Sequence, residues 1–415
     1  MADAATGAEI KAEDVAQARK LCGHMFAERN CELYTSAHPD AIRNFARGYG
    51  DDNPLYTDDE YGASTVWGSQ IAPPLIGVAV NKTLLGDPRP DDLRRPAFRG
   101  VHNFVSGTSW EFYRPVRAGD TLYTFVGYES VEEKVSAFAG KTVIIVRKHV
   151  RMNQDAQVVS VARVILIHAE RKAAKTRQKY VVEPAVYSDD DIARIDAIYA
   201  AEKRRGAETR WFEDVEVGES LGPIAKGPIT TTDIIVFHAG GYGFTPFAPS
   251  TSRLAYKNRQ RIAAFYVRNA QGIPDVAQRV HWDSAWAQQV GVPMAYDYGV
   301  MRDCWLSHVV TDWMGDNAWL WRQSSEIRKF NYLGDFHVMS GTVTGKRIEA
   351  GRPLVDIELR GVNQRGENTC PATATVLLPS REFGPVQLPE VPSDLAEQAE
   401  HMMRRHRELR AESNR

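Results

Sequence analysis

The stretch Gly50-Asp51-Asp52-Asn53-Pro54-Leu55-Tyr56 places carboxylates, an amide and a phenol on one tight turn. Carboxylates held in that way can orient a water or move a proton. A partial echo follows some two hundred residues later, first as Phe237-His238-Ala239-Gly240-Gly241-Tyr242-Gly243 and then, after an interruption, as His281-Trp282-Asp283 with Ala287 beyond it. The second copy carries an imidazole where the first has Tyr56. An imidazole titrates near pH ~6.5 and serves as base and acid near neutrality, whereas a phenol titrates near pH ~10. Proton transfer is therefore expected at His281. At the first copy two readings stand: Asp51 and Asn53 contribute to a site, or they only cap an Asx-type turn that Pro54 stiffens. A calcium loop built from Asp51, Asp52, Asp58, Asp59 and Glu60 lacks the required glycine and glutamate spacing.

These residues need elements to hold them. Periodicity predicts helices over residues 11–30 and 39–47, and the nearly all-apolar run over 74–86 (PLIGVAVNKTLL) predicts a third, buried on every side. Four extended segments follow near 100–114, 120–131, 139–152 and 156–170, rich in Val, Ile, Phe, Tyr and Thr and divided by turn residues. A charged connector over 171–210, with a helix near 189–205, leads to a second round in the same order. That round has a helix opening at 232–237, a long apolar helix over 299–315, and four strand-like runs over roughly 322–379. Glu111, Gly119 and Asp120 recur as Glu326, Gly334 and Asp335, each 215 residues on. The shift is 193 from Gly50 to Gly243 but 225 from Tyr56 to His281, so about 32 residues are inserted within 244–275. A buried helix followed by an antiparallel meander, made twice, is what two sheets each curled around a helix require.

With 415 residues, the chain suits two domains. A net charge of -2, 43% hydrophobic and 10% aromatic content describe a globular protein without polyelectrolyte bias, so nucleic acid is not expected as a partner. No apolar run approaches the roughly 20 residues of a membrane span, and the start has no secretory signal. Cys22, Cys31, Cys304 and Cys370 lie far from any zinc spacing and read as reduced thiols, so no metal is expected and the setting is cytoplasmic. The basic stretch over 401–410 is interleaved with glutamate and reads as a solvated terminal helix.

Over roughly residues 10–380 the chain resembles the MaoC-like, hydratase-2 (FAS1-like) family of acyl-thioester dehydratases. The family fingerprint is an aromatic residue, Gly-Asp-x-Asn-Pro-(Leu/Ile)-His, Asp two residues after the His and Ala six after it. Phe45, Gly50, Asp51, Asn53, Pro54, Leu55 and Asp58 fall on that pattern, with Tyr56 in place of its histidine; His281, Asp283 and Ala287 match its downstream part, with Val276 where the aspartate is expected and Asp275 one place earlier. The resemblance implies an α+β double hot-dog, two antiparallel sheets each wrapped around a long helix. Its halves would span 1–170 and 211–385, joined by the 171–210 connector and followed by a helical tail over 386–415. It further implies a hydratase or dehydratase acting on enoyl-CoA or 3-hydroxyacyl-CoA, with CoA only as part of the substrate and no other cofactor.

Within that family reading His281, Asp275 and the Gly299 N–H (as oxyanion donor) are the catalytic groups, and Asp51, Asn53, Tyr56 and Tyr298 contact substrate. His308 reads as core, and the role of His102 stays open. The family also implies a homo-oligomer, or assembly with a second hot-dog subunit. Two rivals remain: an acyl-CoA-binding subunit without activity, and altered chemistry such as a thioesterase using Asp51 or Tyr56. The insertion, with Phe244, Phe247, Tyr256, Phe265 and Tyr266, is expected to roof the site, to pack, or to serve assembly.

Overall fold

The computed structural model describes residues 9–28, 32–95, 97–98, 101–136, 140–169, 182–242 and 252–413. The extended segments of the first half become β2 (His102–Phe112), β3 (Tyr123–Ser136), β4 (Gly140–Met152) and β5 (Val158–Ala169), preceded by a short β1 (Met25–Ala27). Those of the second half become β9 (Trp319–Glu326), β10 (His337–Glu349), β11 (Arg352–Asn363) and β12 (Ala372–Leu377), with β6 (Ser220–Lys226) ahead of them. β-Branched and aromatic side chains suit a pleated, half-buried surface, which is why these runs are strands.

All ten join one sheet in the order β1-β3-β4-β5-β2-β9-β12-β11-β10-β6, so β2 and β9 weld the halves. They run antiparallel, and Ser109 faces Ser324 across the junction. Those two residues are 215 apart, the spacing of the internal repeat, so a pseudo-twofold axis passes between equivalent positions. Either side of that pair the register steps outward evenly, Thr108 to Ser325 and Trp110 to Gln323.

The second half has its helix, Gly299–Met314, with every residue from Met301 to Met314 buried. It ends where Gly315 takes φ 72°, a left-handed conformation that glycine adopts without steric cost. Leu306, Val309 and Val310 pack in one core with Val343, Leu354 and Ile357 of the enclosing strands and with Trp110 and Phe112 of β2.

The first half departs from expectation, because residues 74–86 are not a helix. Only a single 3-10 turn forms, at Ile76–Val78, and the chain then runs extended. Asn81 N–H donates to Tyr34 O at 2.9 Å and Lys82 N–H to Leu122 O at 2.7 Å. Burial was read correctly, since Leu75, Ile76, Val80 and Leu84 are all enclosed. Conformation was not: Pro73-Pro74, Gly77 and the branched Val78, Val80 and Thr83 weaken a short helix, and neighbouring backbone offers the extended chain its hydrogen bonds. The helix predicted over 11–30 likewise stops at Lys20 and gives way to β1.

Cover for part of the first half comes from the far end of the chain. The helix Ser393–Ser413 sets Leu395, Ala399 and Met403 against Leu84, Tyr123, Phe125 and Val150. Leu85 N–H donates to His406 Nδ1 at 2.9 Å, and Arg405 pairs with Asp87 at 2.8 Å. Among the described residues no helix is long and apolar enough to cross a membrane.

Candidate active site

A helix buried all round cannot leave its polar side chains to water, so each must find a partner inside the protein. Arg302 forms a two-pronged ion pair with Asp297 at 2.8 and 2.7 Å. The Asp303 carboxylate accepts from Thr108 Oγ1 at 2.7 Å and Ser325 Oγ at 2.5 Å. His308 and Asp312, one turn apart, turn instead towards a cavity of about 580 Å3 between the two halves. Residues 47–52 of the first half, Glu202, Lys226 at the end of β6, and Trp305 also line it.

The motif turn is built to present its aspartate there. The helix Pro39–Gly48 ends, Gly50 reverses the chain at φ 77°, and Asp51 enters the interior. Asp51 Oδ1 accepts from Asn53 N–H and Oδ2 from the Tyr49 hydroxyl, both at 2.9 Å. Asp51 Oδ1 lies 3.6 Å from His308 Nε2, and Asp312 Oδ2 lies 3.4 Å from the same nitrogen. On the far side of the ring Lys226 Nζ reaches His308 Nδ1 at 3.0 Å. Burial holds the Lys226 ammonium below its usual range, against the pull of Asp51, Glu202 and Asp312. Burial also raises Glu202. Asp312 Oδ1 is buried without a hydrogen-bond partner, an acceptor left open beside the cavity. The site thus combines the carboxylates of Asp51, Asp312 and Glu202 with an imidazole and an ammonium in a concave, enclosed space, the setting in which acid–base chemistry is tuned.

The other expected residues are distributed differently. Asn53 accepts from Leu55 N–H at 3.0 Å and caps the short helix Pro54–Thr57. Tyr56 is buried with its hydroxyl on Thr311, and it lines a separate cavity of only about 30 Å3 with Trp67 and Asp316. His281 ends a 3-10 turn; its Nδ1 lies 2.8 Å from Tyr296 O, and its ring centroid lies 3.7 Å from that of Tyr298, tilted by 31°. Burial lowers its pKa to about 4, so it is neutral at pH 7.

Asp275 is not brought to His281: it sits in the short hairpin of β7 (Tyr266–Arg268) and β8 (Pro274–Val276), and its Oδ1 accepts from Val276 N–H at 2.7 Å. The one-residue displacement from the motif places that carboxylate on the hairpin rather than on the imidazole. Asp283 caps the next helix and pairs with Arg279 at 3.3 Å. The Tyr298 hydroxyl accepts from Gln278 Nε2 at 2.8 Å and lies 2.9 Å from His238 Nε2. Gly299 opens the long helix, where a Cβ would come 2.4 Å from Ile327 Cδ1, so a larger residue there would push the end of that side chain aside.

In the insertion, Phe244 and Phe247 lie outside the described residues. Tyr256 is 56% exposed, while Phe265 and Tyr266 are half-buried. Arg279 ties the hairpin down by donating to Val267 O at 3.0 Å and Val276 O at 3.2 Å. The residues that line the larger cavity do not include its described part. Reading the sequence alone missed Lys226 and took His308 for core. The signal available was the spacing of His308 and Asp312 on a helix otherwise predicted to be buried on all sides.

A continuous antiparallel sheet wound on a buried helix, with a two-fold repeat at its centre, defines a double hot-dog. A solved MaoC-like dehydratase shares the fold, with a TM-score of 0.56 over 87% of this chain and 99% of its own at 16% identity. The profile of the FAS1-like dehydratase domain region matches residues 21–161, which hold the Gly50–Tyr56 turn and most of β2–β5. A UPF0336 protein of Streptomyces avermitilis is 34% identical over 120 residues, 29% of this chain and 75% of the relative. Its counterpart from Streptomyces coelicolor is 30% identical over 133 residues, 32% of this chain and 84% of the relative. The chain belongs to the same family as these UPF0336 proteins, and its residues 21–161 match the FAS1-like dehydratase domain region.

Proposed function

We propose that this protein is an acyl-thioester hydro-lyase that adds water to an enoyl-CoA, or removes it from a 3-hydroxyacyl-CoA, in the cavity where Asp51 meets His308. One observation carries this reading: the carboxylate of the family motif, left without the motif's own histidine by Tyr56, faces an imidazole from the long helix of the other half at 3.6 Å. Asp51 takes a proton from water, the hydroxide adds at the β carbon, and His308 delivers a proton to the α carbon. A positioned base or acid of this kind contributes about 100-fold to 10,000-fold in rate. Arg47 and Arg204 line the same cavity and suit the phosphates of CoA. The reaction needs no cofactor beyond the substrate's own CoA.

A second reading places the base at His281, favoured by one feature. With Nδ1 committed to Tyr296 O, the lone pair of a neutral ring sits on Nε2.

Enoyl-CoA esters of short, long and ring-bearing acyl groups, followed by loss of the conjugated thioester absorbance, test the reaction. Hydration by the wild-type protein, lost about 100-fold or more in His308→Ala and Asp51→Asn but kept in His281→Ala, is the expected result. Loss confined to His281→Ala would move the chemistry to the second place. Release of free CoA without hydration would make the protein a thioesterase.

A further inference from the structure

We propose that Lys226 is a positioning residue that acts through His308 as a proton relay: its ammonium holds Nδ1 and passes a proton to it as Nε2–H protonates the substrate. This rests on the hydro-lyase reading.

The geometry assigns the tautomer. Lys226 Nζ donates to Tyr49 O at 3.2 Å, to Gly50 O at 3.1 Å and to His308 Nδ1 at 3.0 Å, which uses all three N–H bonds of an ammonium. Nδ1 is therefore an acceptor, and the ring proton sits on Nε2, where Asp51 Oδ1 and Asp312 Oδ2 face it. The motif's glycine turn wraps the lysine: at φ 77° Gly50 aims its carbonyl at Nζ, and even a Cβ there would stand 3.5 Å from it.

A neutral imidazole that gave up Nε2–H alone would be left as an imidazolate, which is unfavourable. Simultaneous transfer from Lys226 to Nδ1 removes that obstacle. In the hydration direction, water loses a proton to Asp51 and its oxygen bonds to the β carbon. The double-bond electrons move to the α carbon, which takes the Nε2 proton, and Lys226 becomes a neutral amine. The site resets when protonated Asp51 returns its proton to Nε2 and Nδ1–H returns its own to Lys226. Atoms and charges balance within Asp51, His308 and Lys226. Burial, which holds the lysine below its usual range, makes it a readier proton donor.

The groups facing this pair come from every surrounding element. Asp51 and Tyr49 lie on the turn, Glu202 follows the helix Asp189–Ala201, and Asp312 shares the helix of His308, with Cys304 beside the lysine.

The test compares wild type, Lys226→Met and Lys226→Arg, with enoyl-CoA hydration measured across pH and the His308 tautomer read by 15N NMR. Arginine can hold Nδ1 but does not release a proton in the working range. Expected are Nε2–H in the wild type, kcat lowered about 100-fold in both variants with KM little changed, and a wild-type fall in kcat at high pH that both variants lack. Full kcat in Lys226→Arg would show that holding the ring suffices and would overturn the relay. A wild-type proton on Nδ1 would overturn it as well. A wild type inactive on every enoyl-CoA while Nε2 carries the proton would instead remove the reaction itself, and the relay with it.

Discussion

Tyr56 and His281 occupy corresponding places in the repeat, yet neither joins a carboxylate–imidazole pair. Tyr56→Phe removes a buried hydroxyl bonded to Thr311, a loss of about 1 kcal/mol in urea unfolding, with hydration unchanged within a few-fold. A large kinetic loss in Tyr56→Phe would mean that the phenol reaches substrate. At this scale the sequence was legible where a motif is local. Asp51 and Asn53 accept from backbone N–H groups two residues on, so their types and spacing suffice to shape the turn. His308 meets Asp51, and Lys226 meets Gly50, across more than 170 residues of chain, and apart from the spacing of His308 and Asp312 no short pattern records such a meeting. Asp275 misled for the opposite reason: a single-residue slip in a hairpin decides where a carboxylate points.

Asp303 belongs to the elements that join the halves, since Thr108 lies on β2 and Ser325 on β9. Burial raises its pKa from 3.8 to about 6, against the hydrogen bonds of Ser325 and Thr108 and the charge of Arg302. Between those two values the folded chain holds more protons at this site than the unfolded chain. Its contribution to stability is therefore full below about pH 4 and lost as pH rises through about 6. A shift of that size is worth about 3 kcal/mol. Asp303→Asn lacks this dependence and should gain on the wild type by that amount in unfolding free energy between pH 4 and pH 7; a constant difference across that range would count against it. Strands were the most legible elements: the four runs of the first half end within about five residues of where they are expected, and the four of the second half fall within a few residues of the 322–379 range. The helix expected over 74–86 failed because apolar composition reports burial and not conformation.

At the scale of the whole molecule the C-terminal helix closes the first half, and Met403 is its most enclosed large side chain there. Met403→Ala should cost about 2–5 kcal/mol, as core truncations do, and should loosen residues 84–87 in hydrogen exchange. Protection unchanged at those amides would show that the helix merely rests on the sheet. The axis between Ser109 and Ser324 has a consequence for stoichiometry. The long helix that carries His308 and Asp312 has no counterpart in the first half, where only the Ile76–Val78 turn forms, so among the described residues that half has no equivalent helix to present an imidazole and an acid. Two identical protomers related by such an axis must own two equal centres, whereas a fused pair is free to let one copy decay into scaffold while the other keeps the chemistry. Calorimetric titration with a non-reactive acyl-CoA should therefore saturate at one ligand per 46.4 kDa chain, and saturation at two would mean that the ancestral symmetry of binding outlived the loss of its residues.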